Sequence, residues 1–410
     1  MSRWSRVMRQ GRGAPIKSTR HREEAMKPKP FTIDIPQSEL DDLNARLART
    51  RWPVDFGPDE ERYGAPRHFL EPLLDYWRND YDWRAVEARM NQYDHQRVDI
   101  DGVPIHFMRV PGQGPSPTPL VLTHGWPWTF WDYQYMVDAL ADPLAHGGRV
   151  DQSFDVIVPS LPGYGFSVPL QTTGIDVARV ADIWVTLMRD VLGYDRFVAA
   201  GGDWGGFITG HLGHAHAEHL IGVYLTFPVI PGLFGRHAPR PEQFADDERW
   251  MLDRMRTSVR QTDSHMTVHR RDARTLAYAM ADSPAGLAAW LCWRRHLWCH
   301  GNAVDVFGYE DLCTLTSLYW FNTAFASAIR IYAEQFTKPP VLVHDRAQVI
   351  DAQTGFAVFP EELVFTPRSV AETHTRLRRW TVFDHGGHFA PAERPEALVH
   401  ELRAFVSELR

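Results

Sequence analysis

One aspartate stands inside a glycine-rich run at residues 201–206, which read Gly-Gly-Asp-Trp-Gly-Gly. The run follows the apolar segment 196–200 directly and precedes residues 207–211, whose spacing is helical. Glycines on both sides of a reactive residue suit a sharp strand-to-helix turn, because a strained backbone leaves no room for neighbouring Cβ atoms. Asp203 is therefore a candidate nucleophile. The same run also fits an aspartate that caps the next helix.

The choice of aspartate restricts the chemistry. A serine that attacked an sp³ carbon would leave an ether that water cannot cleave, whereas a carboxylate leaves an ester with a carbonyl that water can attack. An aspartate at such a turn therefore indicates alkyl rather than acyl substrates.

A candidate base lies near the C-terminus, in the run Asp-His-Gly-Gly-His-Phe at residues 384–389. His388 occupies the chain position of a triad base, and the glycines beside it let its loop reach the nucleophile. The acid that orients this base should precede it, and Glu362, Glu361 and Asp351 all satisfy that order. The residues alone do not separate the three carboxylates.

A tight turn, His-Gly-Trp-Pro at residues 124–127, follows the apolar run 119–123. The backbone N–H groups of Trp126 and Trp204 could together hold the oxyanion that forms when the ester carbonyl is attacked. We also expect a cis peptide bond before Pro127, because tight turns at functional loops are where that isomer is retained.

Histidines and cysteines give no metal signature. The histidines at 211, 214, 216 and 219 include only one pair at a clean one-turn spacing and no zinc motif, so we interpret them as solvated helix surface. Cys292, Cys299 and Cys313 form neither a metal-type pair nor an even disulfide framework, which favours a reducing cytoplasm. We expect neither a metal nor a cofactor.

The helices and strands that position these residues can be recognised by changes in the spacing of apolar residues along the chain. Helical spacing at 38–47, where Ser38 is a candidate cap, and at 69–77 gives way to alternation in a hairpin at 98–107. Strands at 119–123, 154–159 and 196–200 then alternate with helical stretches, which predicts a mainly parallel sheet. Helices rich in Trp and Met follow, and strands at 340–343 and 380–383 resume the sheet before a final helix at 395–409.

The 410 residues carry a formal net charge of -7. A phosphate-binding surface would show a basic excess, so we expect no nucleic-acid partner. No apolar run approaches the roughly 20 residues that span a bilayer, so we expect no membrane association. The oligomeric state is open, with a homodimer as one alternative.

These motifs together resemble the epoxide hydrolases of the microsomal and juvenile-hormone type, in a soluble form. The resemblance runs from about residue 30 to the C-terminus, and residues 31–53, 76–77 and 81–84 match the N-terminal segment that separates this family from haloalkane dehalogenases. It implies an α/β-hydrolase fold, a mainly parallel sheet flanked by helices. The expected parts are a disordered tail (1–29), an N-terminal segment that wraps round lid and core (30–94), a first core part (95–229), a helical lid (230–325) and a second core part (326–410).

The resemblance also implies roles. Asp203 matches the family nucleophile, His388 the general base and Glu362, within residues 359–363, the acid, which favours it over Glu361. Tyr332 matches one of two lid tyrosines that bind the epoxide oxygen.

The position of the second lid tyrosine departs from the family pattern. His265 stands there, and the pattern after it is altered through His269 and Arg270 to Ala273. We hypothesise that His265 donates an N–H in place of the phenol. An ordinary imidazole titrates near pH 6.5, so this hypothesis predicts a pH signature on ring opening between about 5 and 8.

The leading interpretation is hydrolysis of an epoxide, large or aromatic, to a vicinal diol without a cofactor. The altered lid motivates one alternative, an enzyme of natural-product biosynthesis that opens, rearranges or cyclises its substrate without adding water. A haloalkane dehalogenase and a catalytically silent binding protein are weaker alternatives, and release of halide would identify the former.

Overall fold

The computed structural model describes residues 26–54, 57, 60–338 and 342–410. Residues 1–25, which make up most of the predicted tail, lie outside the described residues. Within the described residues, every helix is too short or too polar to cross a bilayer.

The described residues form a sheet of nine strands in the order β1-β2-β3-β5-β4-β6-β7-β8-β9. The first three strands and the β3–β5 pair run antiparallel, and every pairing from β5 through β4 to β9 is parallel. The prediction of a mainly parallel sheet is therefore confirmed. The strands are β1 (Lys29–Pro30), β2 (Asp94–Ile100), β3 (Val103–Val110), β4 (Thr118–Thr123), β5 (Phe154–Pro159), β6 (Phe197–Gly201), β7 (Leu220–Leu225), β8 (Ile350–Val358) and β9 (Thr375–Val382).

Helices cover both faces of the sheet and fill the long connection between β7 and β8. They are α1 (Gln37–Leu47), α2 (Arg67–Asn79), α3 (Trp83–Met90), α4 (Val137–Ala141), α5 (Val177–Val185), α6 (Trp204–Ala215), α7 (Arg249–Arg271), α8 (Ala273–Asp282), α9 (Pro284–Trp298), α10 (Ala303–Phe321), α11 (Phe325–Phe336), α12 (Arg368–His374), α13 (Ala390–Glu393) and α14 (Pro395–Glu408). The helices α7 to α11 continue past residue 325, where we predicted the lid to end. Tyr332 therefore lies on a helix of this block.

The N-terminal helices pack on α10. The indole Nε1 of Trp77 donates to Ser317 Oγ at 3.0 Å, and the Tyr81 and Thr314 hydroxyls lie 3.0 Å apart. Both contacts join residues more than 230 positions apart in the chain. The aromatic residues of this segment thus attach it to the helical block rather than to the sheet alone.

Two local predictions were wrong. The strand that resumes the sheet is β8, not 340–343; Pro339, Pro340 and Val341 lie outside the described residues, while Leu342 and Val343 are outside any strand and are 42% and 60% exposed. Pro340 begins the predicted strand and follows Pro339, and neither proline has an N–H to donate to a strand ladder, so the apolar composition of 340–343 was misleading. Ser38 lies inside α1, whose N-cap is Pro36 and has no side-chain cap.

The interpretation of all four clustered histidines as solvated surface was also wrong. His211 and His214 are 7% and 2% exposed. His214 donates from Nδ1 to the Val349 carbonyl at 2.8 Å and accepts from the Val343 N–H at Nε2, so it ties α6 to the loop before β8. In the part of the chain that the structure describes, no cluster of three or more metal-ligating residues occurs.

Candidate active site

The run at residues 201–206, hereafter the nucleophile turn, connects β6 to α6. Asp203 has φ 51 and ψ -124, a left-handed conformation that L residues rarely adopt. A Cβ on Gly205 would lie 1.9 Å from the Thr123 carbonyl oxygen, so only glycine fits beside β4. The Asp203 side chain caps no helix N–H. The turn therefore presents this carboxylate away from its own helix, which argues against the capping alternative.

The turn at 124–127 meets the carboxylate directly. The backbone N–H of Trp126 donates to Asp203 Oδ1 at 2.7 Å. A Cβ on Gly125 would lie 2.2 Å from that same oxygen, so glycine is required for this approach. The Trp126–Pro127 peptide bond is cis, as predicted. Trp204, the other predicted oxyanion residue, begins α6 immediately after Asp203.

His124 holds this turn in place. Its Nδ1 donates to the Gly125 carbonyl at 3.0 Å, and its Nε2 accepts from the Leu161 N–H at 3.0 Å. Burial lowers the pKa of His124 to about 4, so the ring stays neutral and keeps one donor and one acceptor. The loops after β4 and β5 are thereby joined beside Asp203.

His388 lies between the nucleophile turn and a buried carboxylate. Its Nε2 is 3.4 Å from Asp203 Oδ2, and its Nδ1 is 2.6 Å from Glu362 Oε1. Its backbone N–H donates to the Trp298 carbonyl at 3.0 Å, which fixes the loop against the end of α9. His388 and Glu362 are each 1% exposed.

The competing carboxylates lie elsewhere. Glu361 Oε2 pairs with Arg254 at 3.1 Å, and Asp351 pairs on the sheet surface with Arg346 and Arg376. The structure therefore brings Glu362 to His388 and leaves Glu361 and Asp351 outside the site.

Two carboxylates set the charge of His388. Burial alone would lower the pKa of this imidazole, but the charge of Glu362, the hydrogen bonds with Asp203 and Glu362 and the charge of Asp203 together raise it to about 9. At neutral pH the resting imidazole is thus protonated between two carboxylates.

The helical block supplies the opposite wall. Tyr332 on α11 is 2% exposed, and its ring centroid is 4.8 Å from that of Trp204. Burial and the charge of Asp203 hold the pKa of Tyr332 well above 10, so the phenol keeps its proton. His265 on α7 is 4% exposed, stacks on Trp126 at 5.2 Å and meets the Tyr332 ring edge-on at 5.6 Å. Both predicted lid residues therefore reach the site.

The burial of His265 argues against the expected pH signature. Burial holds the pKa of His265 well below 6.5, and the charges of His269, Arg294 and His388 lower it further. A pKa well below 6.5 favours the neutral ring at neutral pH. His265 can still donate one N–H in its neutral form.

Several residues near the reacting atoms were missed. Trp128 and Trp298 pack edge-on against His388 at 5.6 and 5.4 Å, and Tyr164 is buried with a hydroxyl that has no partner among the described residues. Glu393 accepts from the N–H groups of His300 and Phe389, both at 2.8 Å, and so locks the loop of His388. A signal for Tyr164 exists in the sequence, because residues 162–167 read Pro-Gly-Tyr-Gly-Phe-Ser and follow the predicted strand at 154–159; the other residues carry no such signal.

The comparisons with known proteins cover the same regions. A family model described as Epoxide hydrolase N terminus matches residues 28–133, and one described as Alpha/beta hydrolase family matches residues 120–401. Epoxide hydrolase 1 of Sus scrofa is 30% identical over 93% of this chain and 89% of that protein. Juvenile hormone epoxide hydrolase 2 of Ctenocephalides felis is 28% identical over 93% and 85%. The structure of Aspergillus niger epoxide hydrolase, 27% identical, superposes with a TM-score of 0.81 over 94% of this chain and 97% of that one.

Proposed function

The chain belongs to the epoxide hydrolase family, with the α/β-hydrolase fold, and we propose that it opens its epoxide through an ester on Asp203 and hydrolyses that ester to a vicinal diol. The observation that carries the proposal is one row of contacts: Trp126 N–H to Asp203 Oδ1, Asp203 Oδ2 to His388, and His388 to Glu362. A nucleophile, a base and an orienting acid are thus in consecutive contact, and a backbone N–H already donates a hydrogen bond to the nucleophile.

The two oxygens of Asp203 take different parts in the first step. Oδ1 is held by the Trp126 N–H, so it becomes the carbonyl oxygen of the ester. Oδ2 attacks the ring carbon and forms the new C–O bond. The ring C–O bond breaks, its electron pair goes to the epoxide oxygen, and that oxygen takes the proton of Tyr332.

The second step returns every group to its starting state. Water attacks the ester carbonyl carbon and gives a proton to His388, while the N–H groups of Trp126 and Trp204 hold the oxyanion on Oδ1. The intermediate collapses, and the diol oxygen leaves with the proton of His388. The released carboxylic proton returns to the Tyr332 phenolate. The sum is one water added to one epoxide.

The charge on Asp203 controls when His388 can act as a base. That charge and its hydrogen bond help raise the pKa of His388 to about 9. Ester formation removes the charge, so the pKa of His388 falls and the ring releases its proton to solvent; it takes a proton up again from solvent when hydrolysis restores the Asp203 carboxylate. The imidazole thus becomes a base only once there is an ester to hydrolyse.

The walls of the site favour an apolar, aromatic epoxide. Trp126, Trp298 and Tyr332 surround His265 with ring centroids 5.0 to 5.6 Å away. Such rings offer π faces and edges to an aryl substituent. Styrene oxide is therefore the probe that we choose. We place the enzyme in the cytoplasm, because its three cysteines are free and buried.

The experiment is a trapped intermediate. His388→Ala keeps Asp203 and Tyr332 but removes the base, so it should accumulate protein plus one styrene oxide in intact-mass spectra, while the wild type turns over to diol. Asp203→Asn in the same background should form no adduct. A His388→Ala protein that binds the epoxide without gaining mass would contradict the proposal, and an unhydrolysed rearranged product from the wild type would favour the non-hydrolytic alternative.

A further inference from the structure

His269 lies one turn after His265 on α7 and is fully buried, at 0% exposure. Its ring meets Trp126 edge-on at 4.6 Å and Tyr332 at 4.8 Å. These two residues carry the donor to Asp203 Oδ1 and the phenol of the proposed ring-opening step. His269 therefore adjoins both sides of the reacting atoms, although the proposed function assigns it no part.

The tautomer of His269 is fixed by Trp290. The indole Nε1 of Trp290 lies 3.1 Å from His269 Nε2. An indole N–H can only donate, so Nε2 is the acceptor and carries no hydrogen. The single hydrogen of the neutral ring is then on Nδ1. Within the described part of the chain, this buried Nδ1 has no hydrogen-bond partner.

Arg294 keeps the ring in this state. Its guanidinium lies 4.8 Å from the centre of the Trp290 ring and donates to Ser264 Oγ at 2.9 Å. Burial holds the pKa of His269 well below 6.5, and the Arg294 charge lowers it further. A protonated ring would also lose its bond to Trp290, since both nitrogens would donate. At neutral pH, His269 is thus a neutral ring whose single hydrogen is on Nδ1.

A buried donor that lacks a partner calls for a physical reason, because the group is desolvated without compensation. A substrate oxygen would supply the partner. We propose that the Nδ1–H of His269 is a second donor to the epoxide oxygen during ring opening, and that Trp290 is the residue that positions it. His265 differs, since no indole hydrogen bond fixes its tautomer among the described residues.

This inference rests on the proposed ester mechanism and adds one contact to it. Oδ2 of Asp203 bonds to carbon, the ring C–O bond breaks, and the oxygen takes its proton from Tyr332. His269 keeps its own proton and stabilises the charge on that oxygen by a hydrogen bond. The oxygen stays on the substrate as the hydroxyl of the ester intermediate, but negative charge develops on it only while the ring opens. The hydrogen bond should therefore speed alkylation much more than ester hydrolysis.

The test measures the alkylation rate with styrene oxide in the His388→Ala background, by rapid quench and intact mass. His269→Phe keeps a ring but loses the donor and should slow adduct formation on the order of 10²-fold. His269→Asn places an amide N–H near the position of Nδ1 and should recover most of that rate. Trp290→Phe frees the tautomer and should cost about tenfold.

Trp293→Phe is the matched control. Trp293 is a buried indole on the same helix that stacks on His296 at 4.6 Å and meets Phe69 edge-on at 5.3 Å. Its loss should lower stability without slowing alkylation. Equal slowing by Trp290→Phe and Trp293→Phe would mean that the helix, and not the donor, is responsible, and would overturn the proposal.

NMR spectroscopy of ¹⁵N-labelled histidine measures the tautomer of His269 without any reaction. In ¹⁵N-histidine protein, the His269 signals, assigned by their loss in His269→Asn, should show a protonated Nδ1 and an unprotonated Nε2, and Trp290→Phe should mix the two forms. A protonated Nε2 in the wild type would overturn the inference, as would an unchanged alkylation rate in His269→Phe. Absence of any adduct in the His388→Ala parent would instead mean that the ester mechanism has failed.

Discussion

The nucleophile turn and the helices that face it, α7 and α11, fix their polar atoms by different means. Around Asp203 the backbone decides the geometry: glycines permit approaches that a single Cβ would block, and the Trp126 N–H already occupies one carboxylate oxygen. Around Tyr332 and His265 the side chains decide it, through ring contacts near 5 Å, and the Nδ1 of His265 has no hydrogen-bond partner among the described residues.

This difference separates the two chemical tasks. The bond to carbon needs one fixed oxygen, and a strained turn with Asp203 at positive φ provides it. The epoxide oxygen needs donors that are unoccupied until substrate arrives, and a buried aromatic wall can hold such donors at a cost in stability. Changes at the turn should therefore abolish the reaction, whereas changes in the wall should reduce it by degrees.

The largest effect is expected from Gly205→Ala. A Cβ at this position would lie 1.9 Å from the Thr123 carbonyl oxygen, so β4 or the nucleophile turn must move. Alkylation by styrene oxide should fall below detection, and thermal unfolding should show a loss of about 3 kcal/mol or more. Gly210→Ala, on the same helix with its nearest atom at 3.4 Å, is the control and should keep its activity. Equal behaviour of the two variants would contradict the steric account of the turn.

The next effect concerns the acid. Glu362→Gln removes the charge that orients His388 across the 2.6 Å contact, and ester hydrolysis should slow on the order of 10³-fold while alkylation persists. Pre-steady-state mass spectra should show the adduct accumulating. Glu361→Gln, which loses only the pair with Arg254, should hydrolyse at nearly the normal rate. An equal defect in the two variants would mean that the acid has been misassigned.

The smallest effects are expected from substitutions on α7 and α11, the helices that face the nucleophile turn. Tyr332→Phe should slow alkylation on the order of 10²-fold and His265→Phe by less, because several donors share the charge on the oxygen. The wild-type alkylation rate should show no step from His265 between about pH 5 and 8, since the pKa of that ring lies well below 6.5. Single-turnover rates across this range measure it. A step that disappears in His265→Phe would show that the ring does titrate.

The sequence predicted the nucleophile turn better than it predicted the state of the side chains that face the turn from α7 and α11. Glycine spacing around Asp203 predicted a strand-to-helix turn because steric requirements act on neighbouring residues. The neutral state of His265 could not be predicted in that way, because it depends on burial and on Arg294, which arrives from another helix. The same limit applies to His214, which bonds to Val343 and Val349.

The strand predicted at residues 340–343 was wrong because their apolar composition is typical of a strand although Leu342 and Val343 lie outside any strand. Residues 340–343 are apolar enough for a strand, but β8 begins at Ile350, after the prolines. The acid could not be chosen from the residues alone, since Glu361 and Glu362 are adjacent and only the path of the backbone directs one of them to His388. The roles of these residues remain predictions that the variants above test.

In the proposed mechanism Asp203, and not water, attacks the epoxide carbon. The most direct measurement is a single turnover of styrene oxide, with enzyme in excess, in ¹⁸O-water, followed by mass analysis of the diol and of the peptide that contains Asp203. The label should enter the Asp203 carboxylate and be absent from the diol first released, because the oxygen added to the product comes from Oδ2. Label in that first diol, with an unlabelled Asp203, would show that water attacks the ring directly and that no ester forms.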